Sequence, residues 1–210
     1  MKDPLPHVAL HDELKKFSKA LTAKFSARTE GQPEAQLKSP VERLFTAYGK
    51  LTGHGIVLKD ESAVGRIGRP DYAVESDGLL IGYIELKEPG KGANTARYKG
   101  HDADQWSRFR DLPNILYTSA NEWALYRDGE LVEKIVRLDG DACCDGEDAA
   151  TENCMFEMIW VESSRWLMAD RPIFSIAESL MVSKRSRTSF MSGSEAARRL
   201  RNSTRERRDR

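Results

Sequence analysis

The segment Leu79–Lys87 carries two charged residues, Glu85 and Lys87, in an otherwise apolar run that reads LLIGYIELK. Such a run, rich in Ile and Leu and bounded by turn residues, is typical of a buried β-strand. Side chains alternate across a strand, so Glu85 and Lys87 lie on one face while Ile84 and Leu86 face the core. Charged side chains are rarely buried unless they are paired or bind a metal ion. The fold must therefore supply a compensating partner beside this strand.

Asp77-Gly78 lies immediately before this strand and follows the segment RPDYAVES. Asp-Gly between two apolar segments is one of the strongest short hairpin signals. A two-residue hairpin brings Asp71 within about one residue of direct opposition to Glu85. Mg²⁺ is typically held by one or two carboxylates plus waters and phosphate oxygens. The pattern thus predicts a metal site at Asp71 and Glu85, with Lys87 beside it to act on a water or on developing negative charge.

The rest of the chain alternates between helical and strand periodicity. The pattern predicts helices near 11–27, 34–48, 103–110 and 174–182, strands at IVLKDES and NILYTSA, and a second hairpin at Asp128-Gly129. This order is typical of an α/β domain with a mixed sheet, here with a central hairpin flanked by helices. The expected organisation is an N-terminal helix (1–29), a core domain (30–183) and a basic tail (184–210).

The formal net charge of zero conceals an uneven distribution. Residues 184–210 carry a charge of +7, so residues 1–183 carry −7. A basic tail often indicates a nucleic-acid partner, and a solvated end is the alternative. The sequence has no apolar run long enough to span a membrane and no signal peptide, which predicts a cytoplasmic protein. Its three cysteines lack metal-ligand spacing and are expected to be reduced thiols.

Pro70-Asp71 followed by Glu85-Leu86-Lys87 resembles the PD-(D/E)xK nuclease superfamily, whose fold is that of many restriction endonucleases. The segments RPDYAV, GYIELKEPGKGA, RYKGHDADQWSRF and NILYTSANEWALYRDGELV resemble, more narrowly, the N-terminal nuclease domain of large bacterial restriction-modification proteins. The similarity covers about residues 30 to 140. It implies a restriction-endonuclease-like core and a Mg²⁺-dependent DNA endonuclease, with Mn²⁺ as a substitute metal.

The resemblance also implies roles for individual residues. Asp71 and Glu85 would be metal ligands, Lys87 the catalytic lysine, and Gln105 a glutamine placed beside the site. An acidic residue on the first core helix often completes the metal shell in this superfamily. We expect Glu34 to be that residue, with Glu42 as the alternative, since the two lie on nearly the same helical face.

The Gly-rich segment KEPGKGANTARYKG follows the catalytic strand and carries Lys91, Arg97 and Lys99. Backbone N–H groups and cations in such a loop can contact phosphates, which predicts a DNA-binding surface. The spacing is not that of a P-loop, so ATP binding is not indicated.

The sequence contains no Asn-Pro-Pro-Tyr segment and no Gly-rich cofactor-binding stretch after a strand. We therefore expect methylation and target recognition to come from a separate methyltransferase or specificity subunit. Two other hypotheses stay open. One is a DNA-binding or regulatory subunit of a restriction-modification complex that is inactive alone, and the other is an unrelated hydrolase with a coincidental charged strand.

Overall fold

A mixed β-sheet with helices on both faces forms the fold, in a computed structural model that describes residues 6–27, 31–60 and 63–150. The helices are α1 (Pro6–Ser26), α2 (Pro33–Thr52) and α3 (His101–Phe109). The strands are β1 (Ile56–Asp60), β2 (Tyr72–Ser76), β3 (Leu79–Leu86), β4 (Asn114–Thr118), β5 (Glu122–Arg127), β6 (Glu130–Leu131) and β7 (Val136–Arg137). The predicted α/β class with a mixed sheet and a central hairpin is confirmed. The predicted helix near 174–182 and the basic tail lie outside the described residues.

The strands follow the order β1-β2-β3-β4-β5-β6, and β7 also pairs with β5. Strands β3 and β4 pair in parallel, and the other neighbouring pairs are antiparallel. A parallel pair requires a crossover connection, and here α3 lies in that connection. In the described part of the chain, no helix is both long enough and apolar enough to cross a bilayer.

The β2–β3 hairpin turns at Asp77 and Gly78, whose φ angles are 51° and 82°. Positive φ at both central residues is the requirement of the type I′ turn that Asp-Gly favours. The register then shifts by one residue, because Glu75 pairs with Leu80 but Val74 pairs with Gly82. This bulge leaves Tyr72 opposite Ile84. Continued by one residue, the shifted register sets Asp71 opposite Glu85.

Helices α1 and α2 cover one face of the sheet. Their apolar positions recur at helical spacing, as predicted, and join one core cluster with side chains of β2, β3 and β5; its large buried members include Leu14, Phe17, Leu21, Leu37, Val41, Tyr72, Val74, Ile84 and Leu86. Helix α1 therefore packs in the same core as α2.

Helix α3 covers the opposite face. There Phe109 packs with Ala73 of β2, Tyr83 of β3 and Tyr117 of β4, and Trp106 joins the cluster from a partly buried position. Tyr83 and Glu85 are two residues apart on β3, so Glu85 also faces α3. The crossover between β3 and β4 thus brings a helix over the face that carries the charged residues.

Candidate active site

Glu85 and Lys87 are both buried, at 4% and 3% exposure, where β3 ends. The Lys87 ammonium group donates a hydrogen bond to Glu85 Oε1 over 2.9 Å and another to Gln105 Oε1 over 2.6 Å. The Gln105 amide donates in turn to Glu85 Oε1 over 2.7 Å. The three side chains form a closed network that holds the lysine in one orientation. The backbone N–H of Lys87 is bonded to the Thr118 carbonyl of β4 at 2.8 Å, which fixes the end of the strand.

Asp71 lies beside this network, just before β2. Its Oδ2 accepts a hydrogen bond over 2.8 Å from the backbone N–H of Leu86, the residue between Glu85 and Lys87. This bond fixes the Asp71 carboxylate to the end of β3. Burial raises the pKa of Asp71, while the Leu86 hydrogen bond and the charges of Lys38 and Lys87 oppose that rise. Asp71 and Glu85 are also close enough that the charge of Asp71 raises the pKa of Glu85.

Burial is the main reason that the pKa of Glu85 rises to about 7, and Lys87 and Gln105 only partly offset it. The second carboxylate oxygen, Oε2, is buried and receives no hydrogen bond from the described residues. A buried carboxylate oxygen without a partner is costly. Such an atom is a natural acceptor for a bound cation or an ordered water.

Helix α2 contributes Glu34, the residue expected to complete the acidic set. Its side chain is half-buried, and burial raises its pKa. The charges of Lys87 and Asp71 act on the same carboxyl group, which places Glu34 within electrostatic range of the network. The alternative, Glu42, is exposed and accepts a hydrogen bond from the Tyr72 hydroxyl at 2.9 Å. The structure therefore brings Glu34 toward the site and engages Glu42 elsewhere.

Asp102 is a site residue that the sequence reasoning did not identify. It lies in the first turn of α3, with Oδ1 at 3.4 Å from Lys87 Nζ and Oδ2 at 2.9 Å from Lys91 Nζ. Partial burial opposes its ionisation, but the hydrogen bond from Lys91 and the two lysine charges outweigh that effect and lower the pKa of Asp102. The available signal was its position three residues before Gln105, on the same helical face.

The three predicted DNA-binding cations lie on the segment between β3 and α3. Lys91, Arg97 and Lys99 are all exposed. The backbone of this segment is hydrogen-bonded to Tyr126 of β5. The Tyr126 hydroxyl accepts a hydrogen bond from the Thr95 N–H and donates one to the Ala93 carbonyl, both at 3.0 Å. The cations therefore extend from a backbone that is fixed to the sheet.

The carboxylates of the site suit a magnesium ion that takes most of its ligands from water and substrate and only a few from the protein. Within the described ranges, no three His, Cys, Asp or Glu side chains converge tightly enough to form a complete metal cage. Magnesium, however, is usually held by one or two carboxylates and retains several waters. Asp71 and Glu85 supply two carboxylates, one of them with the unpartnered Oε2. These residues fit the predicted Mg²⁺ site.

No protein-family model matches this chain, and no curated protein matches it either. Among solved structures, the chain is similar to one in the cryo-electron microscopy structure of the DrdV–DNA complex, with a TM-score of 0.45 and 19% sequence identity. The match covers 65% of this chain and 13% of that chain. This chain thus corresponds to a small part of that protein's length.

Proposed function

We propose that this chain is a nuclease domain that hydrolyses DNA phosphodiester bonds with Mg²⁺, or with Mn²⁺ in its place, in the manner of a restriction endonuclease. The observation that carries the proposal is the buried Glu85–Lys87–Gln105 network beside Asp71. A protein gains little stability from such a buried charged group, since apolar residues of similar volume are often as stabilising. Perturbed carboxylates gathered with a lysine are typical of catalytic sites.

Each residue has a role that follows from its contacts. Asp71 and Glu85 would hold the metal ion, with Glu34, which lies within electrostatic range, as the third acidic ligand. When bound, Mg²⁺ supplies an acidified water and neutralises charge on the phosphodiester. Lys87 is held by Glu85 and Gln105 with its ammonium group at the acidic site, where it can stabilise the negative charge that develops on the phosphate. Gln105 hydrogen-bonds to both Glu85 and Lys87 and so orients these two side chains.

The proposed substrate is DNA because exposed cations follow the acidic strand in the chain and one of them, Lys91, contacts Asp102 at the site. Exposed Lys91, Arg97 and Lys99 lie on the anchored segment next to Lys87, and the sequence adds a tail of charge +7. Contacts of this kind bind phosphates without reading bases. As part of the same proposal, sequence recognition and methylation come from a separate methyltransferase or specificity subunit, so the chain alone should cut DNA with little sequence preference.

The test is cleavage of methylated and unmethylated supercoiled plasmid by the purified chain with Mg²⁺, Mn²⁺ or EDTA. Asp71→Asn, Glu85→Gln and Lys87→Met should each lower the cleavage rate by about a hundredfold or more, the usual scale for removing an electrostatic catalytic group. Glu75→Gln is the matched control, because it makes the same change in the same hairpin at a residue paired with Lys59.

Metal-dependent cutting that survives Glu85→Gln would show that the site is elsewhere. If the folded wild-type chain binds DNA but never cuts it, the alternative of a regulatory or DNA-binding subunit is favoured.

A further inference from the structure

Asp102 connects the two lysines of the site through its two carboxylate oxygens. Oδ1 faces Lys87 at 3.4 Å, and Oδ2 binds Lys91 at 2.9 Å. Lys87 is buried and already bonded to Glu85 and Gln105. Lys91 differs because its side chain is 44% exposed, and it belongs to the segment of proposed phosphate contacts.

The Asp102 carboxylate binds Lys91, one of the cations proposed to contact DNA phosphates. Glu34 and Glu88 also act on Lys91 by charge, but Lys91 donates its hydrogen bond to Asp102. An ion pair between partly exposed side chains contributes little to stability. A phosphate oxygen offers the same charge-assisted hydrogen bond, so a bound DNA strand can replace the carboxylate at modest cost.

We propose that Asp102 is a positioning residue whose carboxylate binds Lys91 while DNA is absent. When DNA binds, a phosphate replaces that carboxylate as the partner of Lys91. Asp102 is then left to its second partner, Lys87. DNA binding thereby increases the negative field on the catalytic lysine and favours the orientation that Glu85 and Gln105 define. This inference rests on the proposed nuclease function and adds a response to substrate within the same site.

The inference predicts that binding and cleavage change in opposite directions in Asp102→Asn. Without the competing carboxylate, Lys91 is available to phosphate, so affinity for a duplex oligonucleotide in EDTA should rise about twofold to fivefold, the scale of an exposed ion pair. The Mg²⁺-dependent cleavage rate of bound DNA should fall about tenfold, because a neutral amide no longer supports the charge of Lys87. Asp104→Asn is the matched control, since it removes an exposed acid from the same helical turn.

A double-mutant cycle with Lys91→Met identifies the partner. The gain in affinity from Asp102→Asn should vanish in the Lys91→Met background, because it depends on that lysine. Lys91→Met alone should also lower the slope of log affinity against log salt by about 0.9, the value for neutralising one phosphate. Fluorescence anisotropy gives both quantities, and thermal unfolding checks that each variant is folded.

Three results would overturn the inference: an affinity gain that persists in Lys91→Met, an equal gain in Asp104→Asn, or a parallel loss of binding and cleavage in Asp102→Asn. All three presuppose a wild-type chain that binds and cuts DNA. If the wild-type chain does neither, the proposed function itself fails, so the two failures are distinguishable.

Discussion

The ionisation of Glu85 should make the stability of this fold depend on pH in a way that one substitution removes. Burial raises the pKa of Glu85 from its ordinary value of 4.5 to about 7. Between these two values the folded chain binds more protons than the unfolded chain, so stability falls as pH rises. Each unit of pKa shift is equivalent to about 1.4 kcal/mol, so the complete cost is roughly 3 to 4 kcal/mol. Most of it, roughly 2 to 3 kcal/mol, is incurred between pH 5 and pH 8.

Glu85→Gln keeps the shape of the side chain and removes the titration. We expect the free energy of unfolding of the variant, relative to wild type, to increase by roughly 2 to 3 kcal/mol on going from pH 5 to pH 8. Urea denaturation at both pH values measures this difference, with EDTA present because a bound cation would favour the ionised carboxylate. The attraction between ionised Glu85 and Lys87 is already part of the pKa of about 7, so it needs no separate allowance in the comparison.

The control is again Glu75→Gln, whose side chain is more exposed and paired with Lys59. The difference that Glu75→Gln shows between the two pH values is the baseline that Glu85→Gln should exceed. A change of less than about 0.5 kcal/mol in Glu85→Gln would refute the reasoning, because the carboxyl would then ionise as it does in water.

Two further predictions concern ligands. Mg²⁺ should raise the thermal unfolding midpoint of the DNA-free chain, and more at pH 8 than at pH 6, because Glu85 must lose a proton to bind it. A metal concentration 100 times Kd stabilises by about 2.7 kcal/mol; Asp71→Asn should abolish the effect in differential scanning fluorimetry, and an undiminished rise would contradict the assigned ligands. Deleting residues 184–210, which carry +7, should weaken DNA binding and reduce the salt slope by about 0.9 for each phosphate that the tail neutralises. An unchanged slope would show that the tail does not bind DNA.

Local signals were enough to predict most of the fold. Asp77-Gly78 and Asp128-Gly129 form the predicted turns, and both helices with strong apolar periodicity are present. Helix α1 begins five residues before its predicted start, and α2 ends four residues after its predicted end. The bulge in β3 was not predicted, because nothing in LLIGY requires it. An unbulged hairpin would have set Asp71 opposite Ile84, one residue short of Glu85, so the sequence could only approximate this pairing.

The site was predictable where it depends on one strand or one motif and not where it depends on packing. Alternation along β3 placed Glu85 and Lys87 on one face, and the resemblance supplied Gln105. Periodicity could not choose between Glu34 and Glu42, which share a helical face but lie about 12 Å apart along the axis. Asp102 was missed because its lysine contacts cross from α3 to β3 and its loop, and sequence patterns do not report such distances.

The parallel pairing of β3 with β4 affects the order in which the residues of the candidate site come together during folding. The β2–β3 hairpin closes over two residues, a local event on the scale of about 1–10 μs. The β3–β4 pair instead requires closure of the whole segment that contains α3, and such long-range pairing is slower. Asp71 and Glu85 therefore meet early, while Gln105 and Asp102 reach Lys87 only when the crossover docks. We expect a chain that has formed only its hairpin to have the acidic residues in place and no oriented lysine, so that the candidate site is complete only when the long-range contact has formed.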